Sequence, residues 1–215
     1  MAQRTIHYVL GELLLGECPE RDRKRFLLGS ILPDAYSVHE ERKLAHFTDR
    51  STPGLMFFDF DAFRQRFGGQ MAADDLYLGY YMHLVEDNYY RLFFRERVGV
   101  GIDGMAPETV ERLHRDYTLL NAYIVENYGI RNEIERPPDF ESEPINAIAR
   151  FELDRFLTDF AEDFTRQTEG KTRYLTEPML DEFLERHLPL LLRELQTVRA
   201  GGRGLIARDM AWTVP

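Results

Sequence analysis

The sequence predicts an all-α protein built as a single compact multi-helix domain. Apolar residues recur at spacings of three and four through most of the chain, the mark of amphipathic helices. Alternating apolar and polar runs of the kind that form half-buried strands are almost absent. Glycine and proline divide the helical stretches into about seven segments. A length of 215 residues fits one domain with its own core, expected over 1–200, followed by a C-terminal tail at 201–215 that opens Gly201-Gly202-Arg203-Gly204.

The elements follow in order. Ile6, Val9, Leu10, Leu13 and Leu14 line one face of a first helix. A second is expected from about Glu20 to Leu28, stopped by Gly29-Ser30-Ile31-Leu32-Pro33-Asp34; Pro33 should push Leu32 out of helical geometry and leave Asp34 on a loop or opening a new turn. Ser51-Thr52-Pro53 reads as a helix start with proline in the first position. The strongest helix is expected over Ala72 to Arg97, opened by Asp74-Asp75, with a glycine-rich loop at Val98–Gly104 after it. Pro107 starts another, which ends at the glycine cap Tyr128-Gly129. Beyond the break at Arg136-Pro137-Pro138-Asp139, the segment Glu143–Thr168 is again periodic, and Glu177–Arg199 forms the last helix, with Pro189 as a kink point.

Composition narrows the function. With 27 basic against 37 acidic residues the net charge is −10, which argues against general nucleic-acid binding. An acidic chain can still act on phosphates through a bound cation, because the metal reverses the local field. Cys18 is the sole cysteine, so an intrachain disulfide or a thiolate-cluster metal site is excluded. No signal-like stretch or transmembrane run is visible, and the expected setting is the cytoplasm. Oligomeric state is not legible.

Six histidines are present, and three sit in apolar surroundings. His83 and Asp87 are four apart on the longest helix and project from one face. Neutral imidazole and carboxylate so placed can share a divalent cation; the same spacing also makes ordinary ion pairs. The flanking run Tyr77-Leu78-Gly79-Tyr80-Tyr81-Met82 predicts burial, and a buried carboxylate needs a cation or strong donors. Gly79, one turn before His83, leaves bare backbone for a close neighbour, and Gly11 does the same beside His7. Asp34 is either a helix N-cap or a ligand on a rigid turn. His46, within Leu44-Ala45-His46-Phe47, is a further candidate. His39 reads as solvated, and His114 and His187 read as helix-surface residues.

Four pieces in order, Thr5-Ile6-His7-Tyr8, Phe26 to Asp34, His46-Phe47 and Gly79 to Asp87, resemble the zinc-dependent phospholipase C family, whose members share the all-α phospholipase C/P1 nuclease fold. The resemblance covers residues 5 to about 91. It implies a central metal held by Asp34, His46, His83 and Asp87, with Asp87 bridging to a second metal that also takes His7. Zn²⁺ is the implied ion, one well held and a second in reserve; these N and O donors also suit Mn²⁺ or Fe²⁺. Two departures reduce the family's full set. Secreted members ligate a metal through an N-terminal tryptophan, whereas the one tryptophan here is Trp212. The family's downstream His-x-x-x-Glu helix has no counterpart either.

The expected function is therefore a metal-dependent hydrolase of a phosphate ester, phosphodiester or phospholipid-like, using a metal-activated water. Its substrate would be a small phosphate ester or a lipid head group. Asp34 is the candidate proton acceptor, with Glu86 a second choice set about 100° round the helix from Asp87. Arg91, one turn beyond Asp87, is the candidate phosphate clamp or else an ion-pair partner of Asp87. The alternatives are a non-catalytic helical domain with a structural metal or a buried His/Asp network, and an HD-type phosphohydrolase. The last needs an adjacent His-Asp dipeptide, which the sequence lacks.

Overall fold

A computed structural model describes residues 2–19, 22–166, 168–206 and 212–213, with backbone alone at 103, 212 and 213. Among these residues the chain forms eight α-helices, several 3₁₀ turns and three short strands. The helices are α1 (Arg4–Glu17), α2 (Arg23–Ile31), α3 (Arg42–Ala45), α4 (Phe60–Ala73), α5 (Asp75–Val98), α6 (Pro107–Tyr128), α7 (Leu153–Asp163) and α8 (Glu177–Arg199). Helix starts are set by aspartates: Asp22, Asp59 and Asp74 each accept a backbone N–H from the first turn of α2, α4 and α5. Gly99 and Gly129 close α5 and α6 in the left-handed region, at φ 80° and 62°.

Helix α5 is the hub. It is buried along most of its length, and α2 packs against it more extensively than any other element. Two glycines permit that approach. A Cβ placed on Gly79 would run into the carbonyl of Phe26, and one on Gly29 would run into the carbonyl of Leu76. The backbones of α2 and α5 therefore touch, and only two residues without side chains allow it. Helix α1 lies against α2, where a Cβ on Gly11 would meet Leu27 Cδ2 at 3.1 Å and Ser30 Oγ at 3.2 Å. The close approach expected at Gly79 and Gly11 is present at both.

Four expectations need correction. Leu32 keeps helical angles (φ −59°, ψ −36°), and Leu32–Asp34 continue α2 as one 3₁₀ turn, because Leu32 and Pro33 are both buried there. Ser51-Thr52-Pro53 does not start a helix. Asp49 accepts from the backbone N–H and the hydroxyl of Ser51, and the turn leads into a strand, β2 (Leu55–Phe58). Strand β2 pairs antiparallel with β1 (Thr48–Asp49) in the register Thr48↔Phe58, and with β3 (Trp212–Thr213) in the register Met56↔Trp212. The tail is thus anchored, and Leu205 N–H also donates to Glu194 Oε2 at 2.6 Å.

The segment Glu143–Thr168 is the third and largest departure: it is not one helix. Pro144–Ala147 is a 3₁₀ turn, and the chain then runs extended before α7. Tyr36 and Phe151 form an antiparallel bridge, Ser37 N–H donates to Arg150 O, and Glu152 N–H donates to Ala35 O. Long-range backbone pairing has overridden helical periodicity here, and it clamps the turn that carries Asp34. Last, His187 is 5% exposed rather than on the surface, packed on Phe183, Phe93 and Tyr89. No helix among the described residues is long and apolar enough to cross a membrane.

Candidate metal centre

The α1–α2–α5 crossing brings His7, Asp34, His46, His83 and Asp87 together. His83 and Asp87 project from α5, His7 comes from α1, and Asp34 ends the 3₁₀ turn after α2. His46 caps α3. The next residue, Phe47, sits at φ 49°, a conformation uncommon for a residue with a side chain. Packing of its ring on Phe63 and Phe67, and the hydrogen bond from Asp59 N–H to its carbonyl, hold that turn.

The histidine tautomers follow from the acceptors they face. His83 Nδ1 lies 2.8 Å from Ser30 O, and His46 Nδ1 lies 3.0 Å from Arg42 O. A carbonyl oxygen only accepts, so each Nδ1 carries a proton, which leaves the Nε2 of the neutral His83 ring with a lone pair. Those two Nε2 atoms are 3.3 Å apart. Asp34 Oδ1 is 3.4 Å from His46 Nε2, and Asp87 Oδ2 is 3.9 Å from it. For a tetrahedral ion with ligand bonds of ~2.0–2.1 Å, neighbouring donors are roughly 3.3 Å apart.

His7 approaches from the other side, its ring stacked on that of His83 with centroids 3.7 Å apart. Its Nε2 is 3.5 Å from Asp87 Oδ1, and its Nδ1 is 2.8 Å from Glu86 Oε2. The donors thus form two overlapping triads, Asp34–His46–His83 and His7–His83–Asp87, each with its ligand atoms within 4.8 Å of one another.

Electrostatics separates the members. Burial alone would raise the carboxyl of Asp34, but the hydrogen bond with His46 and the surrounding imidazoles hold it at about 2. Burial opposes ionisation of Asp87 too, yet the positive groups around it, His7 among them, keep it well below the usual carboxylate range. Burial pushes Glu86 up to about 7 despite its bond to His7. Burial and the neighbouring His7 depress His83 to about 3, so its ring is neutral. For His7, burial favours the neutral ring, but Asp87 and Glu86 outweigh it and lift the ring to about 10. Asp34 Oδ1, Asp87 Oδ2, Glu86 Oε1 and His7 Nε2 are buried with no hydrogen-bond partner. Asp34 Oδ1 and Asp87 Oδ2 are unmatched acceptors of the kind that a divalent cation could satisfy.

The centre opens outward through Asp34. A cavity of about 750 Å³ is lined by Asp34, Ala2, Tyr36, Tyr117 and the basic side chains Arg4, Arg42 and Arg155. Ala2 N–H also donates to Asp87 Oδ1 at 2.8 Å. His39, expected to be merely solvated, lies on this wall, as does His114. Arg91, expected as the phosphate clamp, is not in the described lining. It is 5% exposed, with its guanidinium 5.7 Å from the centre of the Phe58 ring.

Glu86 is the residue whose role sequence reasoning misjudged. Its azimuth, about 100° from Asp87, suggested that it faces elsewhere. The two nitrogens of the His7 ring, however, meet the two adjacent carboxylates at once. The acceptors Ser30 O and Arg42 O carry no sequence signal, because every residue has a carbonyl. No family model, curated protein or solved structure matches the chain.

Proposed function

We propose that the protein is a metal-dependent hydrolase of a phosphate ester, with Asp34, His46, His83 and Asp87 holding one divalent cation and His7 available to a second. The observation that supports this most strongly is the convergence of Asp34, His46 and His83, whose ligand atoms lie within 4.8 Å of one another with the two Nε2 atoms 3.3 Å apart. Both Nδ1 atoms are committed to carbonyls, so the two Nε2 atoms are the ones left to bind a cation. The borderline N and O donor set suits Zn²⁺, with Mn²⁺ or Fe²⁺ as substitutes.

A divalent cation bound there supplies Lewis acidity, bringing the pKa of a coordinated water from 15.7 toward ~7. The chain does the rest. Asp34, ionised at neutral pH and at the boundary between the centre and the cavity, is the group placed to accept a proton. Arg4, Arg42 and Arg155 line the cavity where a phosphate ester or a lipid head group would lie, beside Glu152 and Asp159, with Arg4 paired to Asp163 and Arg155 to Glu152. Four protein ligands would fill a tetrahedral ion, so a coordinated water would need a fifth position on the side of Asp34 that faces the cavity.

Elemental analysis of the purified protein, followed by assays on generic phosphodiester and phosphomonoester substrates, tests the reading. One or two equivalents of metal and hydrolysis abolished by His83→Ala are expected. Stoichiometric metal without hydrolysis of either substrate class would leave a structural centre, and absence of metal uptake would remove the proposal.

A further inference from the structure

We infer that Glu86 is a positioning residue: it fixes the ring tautomer of His7 and aims His7 Nε2 at the cation centre shared with Asp87. This rests on the metal reading above and adds a residue and a task to it. Three ring nitrogens point inward at this centre, and each belongs to a histidine whose opposite nitrogen is tied down. For His46 and His83 the tie is a backbone carbonyl, supplied by Arg42 and Ser30. For His7 it is Glu86 Oε2, at 2.8 Å, with both side chains fully buried.

The difference matters because a carbonyl comes with the fold, whereas a carboxylate must be provided by a side chain in the right place. In α1 the carbonyl one turn back, Gln3 O, takes the N–H groups of Ile6 and His7, and His7 Nδ1 turns instead to Glu86. Without Glu86, the Nδ1 proton would face a dry interior, and the ring would gain by moving its proton to Nε2 and donating to Asp87 Oδ1, now 3.5 Å away. That tautomer has no lone pair for a cation. Glu86 therefore decides whether His7 is a ligand or an ordinary hydrogen-bond partner of Asp87. A carboxylate behind the ring also increases the ring's basicity as a ligand, which a carbonyl does less well.

The test is a Zn²⁺ titration of metal-free protein, read by metal content and by ¹⁵N–¹H correlation of the histidine rings, which reports the protonated nitrogen directly. Metal-free wild type at neutral pH should show His7 with both nitrogens protonated, and Zn²⁺ should displace the Nε2 proton while Nδ1–H stays bonded to Glu86. Glu86→Ala should weaken Zn²⁺ binding at His7 by about 10–100-fold while the His46 and His83 signals still respond as in the wild type. Glu86→Gln keeps an oxygen acceptor and should restore the Nδ1–H form and most of the affinity. The inference is overturned if Glu86→Ala leaves His7 tautomer and Zn²⁺ response unchanged, or if Glu86→Gln is as defective as Glu86→Ala. A wild-type His7 that ignores Zn²⁺ while His46 and His83 bind it also overturns the inference but spares the metal reading. No response at any histidine sinks that reading itself.

Discussion

Replacing Gly79 by alanine probes the contact on which the centre depends. The added Cβ would lie well inside 3.0 Å of the Phe26 carbonyl oxygen, in a place where both neighbours are helix backbone and neither can rotate away. Carbon–oxygen contacts settle near 3.3–3.6 Å, so α2 and α5 must separate by roughly 1 Å. The bond between His83 Nδ1 and Ser30 O, at 2.8 Å, spans the same crossing and would stretch past hydrogen-bond range. Overpacking costs about 1–3 kcal/mol. Leaving the buried Nδ1–H without an acceptor adds about 1–3 kcal/mol. Alanine returns about 1 kcal/mol of helix propensity. The net loss is roughly 1–5 kcal/mol, or a fall in Tm of roughly 2–20 °C for a chain of this size. Zn²⁺ affinity should fall as well, because His83 loses the bond that orients it. Gly69, in the interior of α4 with open space where its Cβ would go, is the control. Gly69→Ala should stabilise by about 0.5–1 kcal/mol. Thermal melts of the two variants, with and without Zn²⁺, decide it. A Gly79→Ala protein that melts at or above the wild type with full Zn²⁺ uptake would refute the argument that backbone contact builds the site.

Other predictions follow from the same structure. Asp116 is buried and accepts the backbone N–H groups of Arg173, Tyr174 and Leu175. Asp116→Ala should destabilise by about 2–4 kcal/mol, with the lost hydrogen-exchange protection concentrated at residues 173–175; unchanged protection there would contradict it. Metal-free protein should be most stable between about pH 4.5 and 6.5. His7 rises from 6.5 to about 10 on folding, so its contribution is complete below pH 6.5 and drains away as pH climbs through 10. His83 falls from 6.5 to about 3, so the unfolded chain binds its proton more readily; Glu86 rises from 4.5 to about 7 and offsets this between pH 4.5 and 6.5, so stability drops as pH falls below about 4.5. Urea midpoints measured in chelator from pH 4 to 10 should trace that dome; a midpoint still rising between pH 7 and 10 would exclude the His7 part. Asp34→Asn should retain the fold and lose hydrolysis, and full activity in that variant would remove Asp34 as the proton acceptor.

Much of this molecule was legible in the order of its residues. Periodicity located α1, α5, α6 and α8, because a helix writes its buried face into the sequence every three to four positions. Burial of His83 and Asp87 followed from the apolar run around them, and the bare backbone at Gly79 and Gly11 announced close crossings before any partner was known. Pairings between distant backbones were invisible. The bridge from Tyr36 to Phe151 breaks a stretch that reads as one helix, and β3 joins β2 across more than half the chain. Arg91 shows the same limit at a single side chain: its position one turn past Asp87 is certain from sequence, while its neighbour, the Phe58 ring, comes from a strand that periodicity did not reveal.

The sequence by itself determined which residue types are available for a metal and which helices carry them. Only the tertiary structure decided that five such residues meet, that Glu86 faces His7 rather than solvent, and that Ser30 and Arg42 offer their carbonyls to the other two rings. The physical reason is that a side chain's type and helical azimuth are local properties, whereas a ligand's orientation depends on what stands behind it, and that is set by how the helices cross.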